Sequence, residues 1–128
     1  MQRTKINATN AAPAAASGYS NAVEIADFKR VVFISGQIPA DRDGRVPSGF
    51  AAQCRQVWAN IEAQLHAAGM TLDNIVKLTT FLADRAYGAE NRTIRREILG
   101  DLHPASTMII ATLLDPAWLL EVEVIAAR

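Results

Sequence analysis

Leu119-Leu120-Glu121-Val122-Glu123-Val124-Ile125-Ala126, close to the end of the chain, is the stretch whose reading decides the fold. Side chains of an extended strand alternate between two faces, so Leu120, Val122 and Val124 point one way and Glu121, Glu123 and Ile125 the other. The first face belongs in a core; the second mixes charge with apolar surface. Ile75 to Leu82 repeats the pattern, with Val76, Leu78, Thr80 and Leu82 on one face and Ile75, Lys77, Thr79 and Phe81 on the other. Strands of this kind need a cover for their apolar face.

Two helical stretches supply it. From Ser48 onward, Phe50, Cys54, Val57, Trp58, Ile61, Leu65 and Ala68 recur at steps of three and four, the stripe of a helix lying on a core. Ser48 is placed to cap its first turn and Gly69 to take the left-handed residue that ends it. After a short turn at Leu72 to Asn74 and the strand Ile75 to Leu82, a second helix is predicted. It runs from an Asp84 N-cap through Tyr87, Asn91, Ile94 and Ile98 to a stop at Gly100, with Arg92, Arg95 and Arg96 on its outer side.

Three further strands are expected. Ala22 to Ile25 and Val31 to Ser35 read as a hairpin about Asp27, Lys29 and Arg30. Thr107 to Leu113 precedes a bend at Asp115 and Pro116. The turn formers Pro39, Asp41, Asp43, Gly44 and Pro47 make a surface loop, and the Ala-rich Ala11 to Ser17 reads as extended or loop structure.

The fold class is therefore α+β, and at 128 residues a single domain is expected. Two helices cover only one face of a sheet of about five or six strands. The other face would leave Ile75, Phe81, Ile109 or Met108, and Ile125 in water, forgoing roughly 25 cal/mol for each Å² of apolar surface. Self-association of sheet faces is the expected remedy. Lys77 would pair there with Glu121 or Glu123, within or between subunits.

Composition narrows the function. Half the residues are apolar and a fifth charged, as in an ordinary globular chain. Thirteen basic and thirteen acidic side chains cancel, so no long-range field draws the protein to nucleic acid or an anionic membrane. The single Cys54 precludes an internal disulfide or a thiolate cluster and fits a reducing compartment, which makes the cytoplasm the expected location. No apolar run approaches the roughly 20 residues that span a bilayer, and the N-terminal residues lack the basic n-region and continuous h-region expected of a signal.

Phosphate loops, metal-type His/Cys spacings and nucleophile elbows are all missing from the sequence, so the common catalytic motifs are absent. Polar residues at strand and helix ends remain. Ser35-Gly36-Gln37 ends an apolar strand, where Gly either marks a bulge or lets a ligand approach the backbone. Glu121 is the acid or base candidate, one of few carboxylates on an interior strand, with an ion pair to Lys77 as the alternative. Tyr19 is either a pocket-rim aromatic or a packing residue. His103, held extended by Pro104, is either cleft-facing or inert, and His66 has less claim. Cys54, on the apolar stripe, reads as a buried inert thiol.

Taken in order, Gly18-Tyr19-Ser20, Phe33-Ile34-Ser35-Gly36-Gln37-Ile38-Pro39, Gln53, Asn60-Ile61, Ala68-Gly69, Asn91, Pro104-Ala105 and Glu121-Val122-Glu123 resemble the RidA family, also called YjgF. The resemblance spans nearly the whole chain. It implies a chorismate-mutase-like subunit in a homotrimer, with a central β-barrel and three intersubunit clefts. It further implies hydrolysis of reactive imines or enamines to 2-oxo acids and ammonia, without metal or organic cofactor. Carried over by position, Tyr19, Ser35, Gly36, Asn91 and Glu121 line the cleft, with Glu121 placing or activating water.

Two positions depart from the pattern. Deaminating members have an Arg directly after the Pro-Ala pair, where this chain has Ser106, and a position often held by Cys is Met108. A hydroxyl cannot replace a guanidinium that grips a carboxylate in a bidentate pair. Arg92, Arg95, Arg96 or His103 are the candidates for a substitute anchor. Two functions follow: a small-molecule hydrolase with altered specificity, or a noncatalytic trimer that binds a metabolite or a protein.

Overall fold

The structure is a computed structural model that describes residues 1–14 and 18–128. Six strands and two α-helices follow in the order β1 (Gln2–Ile6), β2 (Ala22–Ala26), β3 (Val31–Gln37), α1 (Phe50–Ala67), β4 (Ile75–Leu82), α2 (Gly88–Leu99), β5 (Ala105–Ile110) and β6 (Leu120–Ala127). The main sheet has the order β3-β6-β4-β5, with β4 and β5 parallel and the other pairs antiparallel. This is the mixed α+β architecture expected. The loop reading of Ala11 to Ser17 holds over residues 11–14, while Ala15, Ala16 and Ser17 lie outside the described residues.

Helices α1 and α2 close one face. Phe50, Cys54, Val57, Trp58, Ile61 and Leu65 of α1 join Ile94 and Leu99 of α2 against Ile34, Leu78, Leu82, Leu120, Val122 and Val124 of the sheet. Trp58, Ile61, Leu65, Leu78 and Val122 are each at most 2% exposed. The ends of α1 have local causes. Gly69, at φ 69°, ends it as predicted: its N–H donates to His66 O, and the Met70 N–H reaches back to Leu65 O at 2.8 Å. At its start, Gly49 rather than Ser48 is the cap residue, since the entering chain needs φ 88° there, and no side chain caps the first turn.

The predicted hairpin is corrected. No ladder joins β2 to β3; β2 pairs with β1, and β3 pairs with β6. Strand β1 was not anticipated, because Gln2-Arg3-Thr4-Lys5-Ile6 is mostly exposed and carries no apolar alternation. Arg3 donates to the Ile75 carbonyl and Lys5 Nζ to Asp101 O at 2.9 Å, which fasten the β1–β2 pair to the body. In β4, a register shift between Ile75 and Lys77 turns Ile75 into the core instead of onto the open face. Strand β5 begins and ends earlier than the predicted Thr107 to Leu113.

Two side chains hold the loops that flank the sheet. Gln53, buried on α1, donates to Pro47 O at 3.1 Å and Ala117 O at 3.0 Å and accepts from Leu119 N at 2.8 Å. Asn60 Nδ2 donates to Ile38 O and Ala40 O, both at 2.9 Å. No helix is long and apolar enough to cross a membrane among the described residues. Replacing Gln53 by Ala orphans one N–H and two carbonyls, so urea unfolding of Gln53→Ala should show a loss of about 2 to 4 kcal/mol.

Candidate functional site

The expected site residues other than His103 fall into two groups on opposite faces of the sheet. Along the β3–β6 ladder, Ile34 pairs with Val124 and Gln37 with Val122, so β3 takes three steps where β6 takes two and bulges at Ser35-Gly36. The bulge carries Gly36 under the side chain of Glu121. A Cβ on Gly36 would overlap Glu121 Oε1 and lie 2.8 Å from its Cδ. The bulge reading of Ser35-Gly36-Gln37 holds, and its bare backbone at Gly36 is met by the chain's own Glu121 carboxylate.

Glu121 is half-buried and sits directly opposite Phe81 of β4. Beside it on the same face, Phe33, Ser35, Lys77, Thr79, Glu123 and Ile125 line a depression of about 410 Å³. Lys77 Nζ donates to Thr107 Oγ1 at 2.9 Å and to Leu78 O at 3.2 Å. Burial lowers its pKa, and the nearby Glu123 carboxylate opposes that shift. Of the two carboxylates expected to pair with Lys77, Glu123 is therefore the one that acts on it.

The second group lies on the helix side. Strand register places Ser106 beside Leu78 and Met108 beside Thr80, both on the face that the helices cover. Tyr19, Arg92, Arg95, Ser106 and Met108 line a cavity of about 190 Å³ between β5 and α2. Asn91, 2% exposed, bridges two sulfurs: its Nδ2 donates to Met108 Sδ at 3.5 Å, and its Oδ1 accepts from Cys54 Sγ at 3.8 Å.

Arg95 is a correction. Expected on the outer side of α2 with Arg92 and Arg96, it is only 5% exposed, whereas they are exposed. Burial lowers its pKa, the Arg92 and Arg96 charges lower it further, and Tyr19 opposes them; a guanidinium stays cationic throughout. The signal was available, because Arg95 follows Asn91 by four residues and so shares its inward face.

His103 opens onto a different space. It lines a cavity of about 580 Å³ with Asn7, Gly18, Tyr19, Arg96 and Asp101. Its backbone is not extended as expected before Pro104: φ is 47°. Ser20 explains this, taking the carbonyls of both residues, with Oγ to His103 O at 2.8 Å and N–H to Pro104 O at 3.1 Å. Tyr19 lines both cavities. His66 is exposed at the last turn of α1.

Within one copy the two groups cannot meet. With strands roughly 4.8 Å apart, β3 and β5 lie about 14 Å apart, and the sheet itself separates Glu121 from Ser106. Among the described residues, no group of three or more His, Cys, Asp or Glu is arranged to hold a metal ion.

Residues 9–128 match the family described as Endoribonuclease L-PSP. The chain belongs to the RidA (YjgF) family. A RutC family protein of Pyrococcus horikoshii is 36% identical over 122 residues, 94% of each chain. The rat 2-iminobutanoate/2-iminopropanoate deaminase is 35% identical over 127 residues, covering 97% of this chain and 90% of its own. Among solved structures, YyfB of Yersinia pestis, of the conserved Rid protein family, superposes with a TM-score of 0.84 at 30% identity over the full length of both chains. RidA of a Psychrobacter species gives 0.73 at 32% identity, covering 98% and 100% of the two chains.

The positions that carried the RidA resemblance divide by task. Gln53 and Asn60 hold loops, whereas Gly36 and Glu121 meet at the open face and Asn91 backs the wall of the β5 cavity. Cys54 in this RidA chain is buried, and loss of water pushes its thiol up to about 12. Native protein should therefore resist iodoacetamide at pH 8 for hours while urea-unfolded protein alkylates within minutes, as read by intact mass.

Proposed function

We propose that the chain is a small-molecule hydrolase that acts on a reactive imine, enamine or related metabolite in clefts between the subunits of a homotrimer. The observation that carries this reading is the Glu121 carboxylate seated on the bare backbone of Gly36, on the sheet face opposite the two helices. Phe33 is 77% exposed there and Ile109 46%, apolar surface that a neighbouring sheet would bury. Association also answers the separation of the two residue groups, since a second copy can bring its Tyr19, Asn91, Ser106 and Met108 to face Glu121. The names of the rat and mouse relatives supply the reaction type.

The chemistry needs only a carboxylate and water. As a water oxygen bonds to the imine carbon, Glu121 accepts one water proton and passes it to nitrogen, giving a carbinolamine; Glu121 then takes the carbinolamine hydroxyl proton and gives it to nitrogen as the C–N bond breaks, releasing ammonia and leaving a carbonyl. The family's description as an endoribonuclease has little physical support, since thirteen cationic and thirteen anionic side chains give no field for a polyanion. The cytoplasm suits a chain whose single cysteine is a free thiol.

Ser106 bears on specificity. Loss of a charge-assisted bidentate contact costs about 1.5 to 3 kcal/mol, roughly tenfold to more than a hundredfold in binding. Small 2-imino acids such as 2-iminopropanoate should therefore be poor substrates. The same residue favours the second reading, a trimer that binds a metabolite or a protein without turning it over.

Ammonia release from freshly generated 2-imino acids of increasing size decides between them. The hydrolase reading expects turnover of bulkier imines, a loss of about a hundredfold or more in Glu121→Gln, and a gain on 2-iminopropanoate in Ser106→Arg. A wild type inactive on every imine, beside an active Ser106→Arg, would leave only the binding reading. Sedimentation at micromolar concentration should give three copies per particle, and a stable monomer would remove the proposed cleft.

A further inference from the structure

The chain has three methionines, Met1, Met70 and Met108, in three different settings. Met70 is 2% exposed and belongs to the core, and Met1 is 45% exposed at the first position. Met108, on β5, is 37% exposed and lines the cavity of about 190 Å³ between that strand and α2. A thioether is oxidised at sulfur when an oxidant can reach it, and the product is a polar, chiral sulfoxide.

Met108 is set apart by what holds its sulfur. Asn91 Nδ2 donates to Sδ at 3.5 Å, and that amide is itself 2% exposed, with its oxygen accepting from the buried Cys54. A thioether sulfur carries two lone pairs, and attack on one or the other gives opposite sulfoxide epimers. The pair that accepts from Asn91 faces the buried side of α2, out of reach of an oxidant. The other remains for a reagent entering from the open side of the residue. Ser106 precedes Met108 by two positions on the same strand face and lines the same cavity, where its hydroxyl can both accept and donate a proton.

We propose that Met108 is a site of stereospecific, reversible oxidation, in which a small hydroperoxide enters the cavity between β5 and α2 and transfers one oxygen to the exposed face of the sulfur. The O–O bond breaks as the S–O bond forms, and sulfur gives up the two electrons that the peroxide gains. The proton of the transferred oxygen passes through the Ser106 hydroxyl to the oxygen that leaves, as water or an alcohol. An apolar stretch of the cavity wall thereby becomes dipolar. A dithiol reductase restores the thioether with two electrons, the oxygen departing as water.

Full-length protein treated with hydrogen peroxide and mapped by peptide mass tests this, with Met1 and Met70 as internal references. Met108 should oxidise on the time scale of Met1, and Met70 at least about tenfold more slowly. The digested peptides are then given one or the other of the two stereospecific methionine sulfoxide reductases. Each should repair about half of the Met1 sulfoxide, whereas only one of them should repair that of Met108. Asn91→Leu, which releases the second lone pair, should bring Met108 toward the even split. Ser106→Ala should slow oxidation of Met108 relative to Met1 about threefold or more.

Met108 as protected as Met70, or an even split of its epimers in wild type, overturns the proposal, and neither result depends on a variant that folds. A single epimer that persists in folded Asn91→Leu overturns the part given to Asn91, and an unchanged ratio of Met108 to Met1 in Ser106→Ala overturns the relay. None of these measurements uses turnover, so a chain that hydrolyses no imine leaves them as they are.

Discussion

The packing of Trp58, Ile61 and Leu65 against Leu78, Val122 and Val124 fixes one face of the sheet and, by the alternation of strands, dictates the other. Leu120, Val122 and Val124 of β6 enter this core and alternate with less buried neighbours. Glu121 and Ile125 face away from the helices because Leu120, Val122 and Val124 face toward them. A carboxylate on the open face is thus a geometric consequence of burying the apolar half of the strand. The bulge at Ser35-Gly36 then removes the side chain that would otherwise occupy its place.

Two kinds of polar residue emerge from the same scaffold. Gln53 and Asn60 spend their hydrogen bonds on backbone carbonyls and amides of loops, and they confer order on segments that have no strand or helix of their own. Asn91 and Arg95 occupy the inward side of α2, where an apolar residue would pack more simply. An amide bridging two sulfurs and a desolvated cation are costly choices for a core. Both stand beside Ser106 and Met108, Arg95 lining the small cavity there and Asn91 donating to the Met108 sulfur.

The reading from sequence succeeded where the cause is local. The bounds of β4 and the end of α1 at Gly69 follow from alternation, periodicity and a left-handed glycine, all within a few residues. It failed where partners are distant. The supposed hairpin of β2 and β3 dissolves because β3 finds β6, nearly a hundred positions away, and β2 finds the polar β1. Ile75 turned inward through a register shift that depends on β6, and His103 left the extended region because Ser20 captures two carbonyls. For the site, Glu121, Gly36 and Asn91 were all named from sequence, but Arg95 was assigned to the wrong side of its helix.

The sequence by itself determined the α+β class, the position of both helices, the strand carrying Glu121 and the RidA family, since periodicity and residue order survive without coordinates. Only the tertiary structure decided which residues share a face and which are divided by the sheet. Glu121 and Ser106 are fifteen positions apart in the chain yet lie on opposite sides of it. Strand pairing and register, which join residues far apart in the chain, set that arrangement, and no local pattern encodes them.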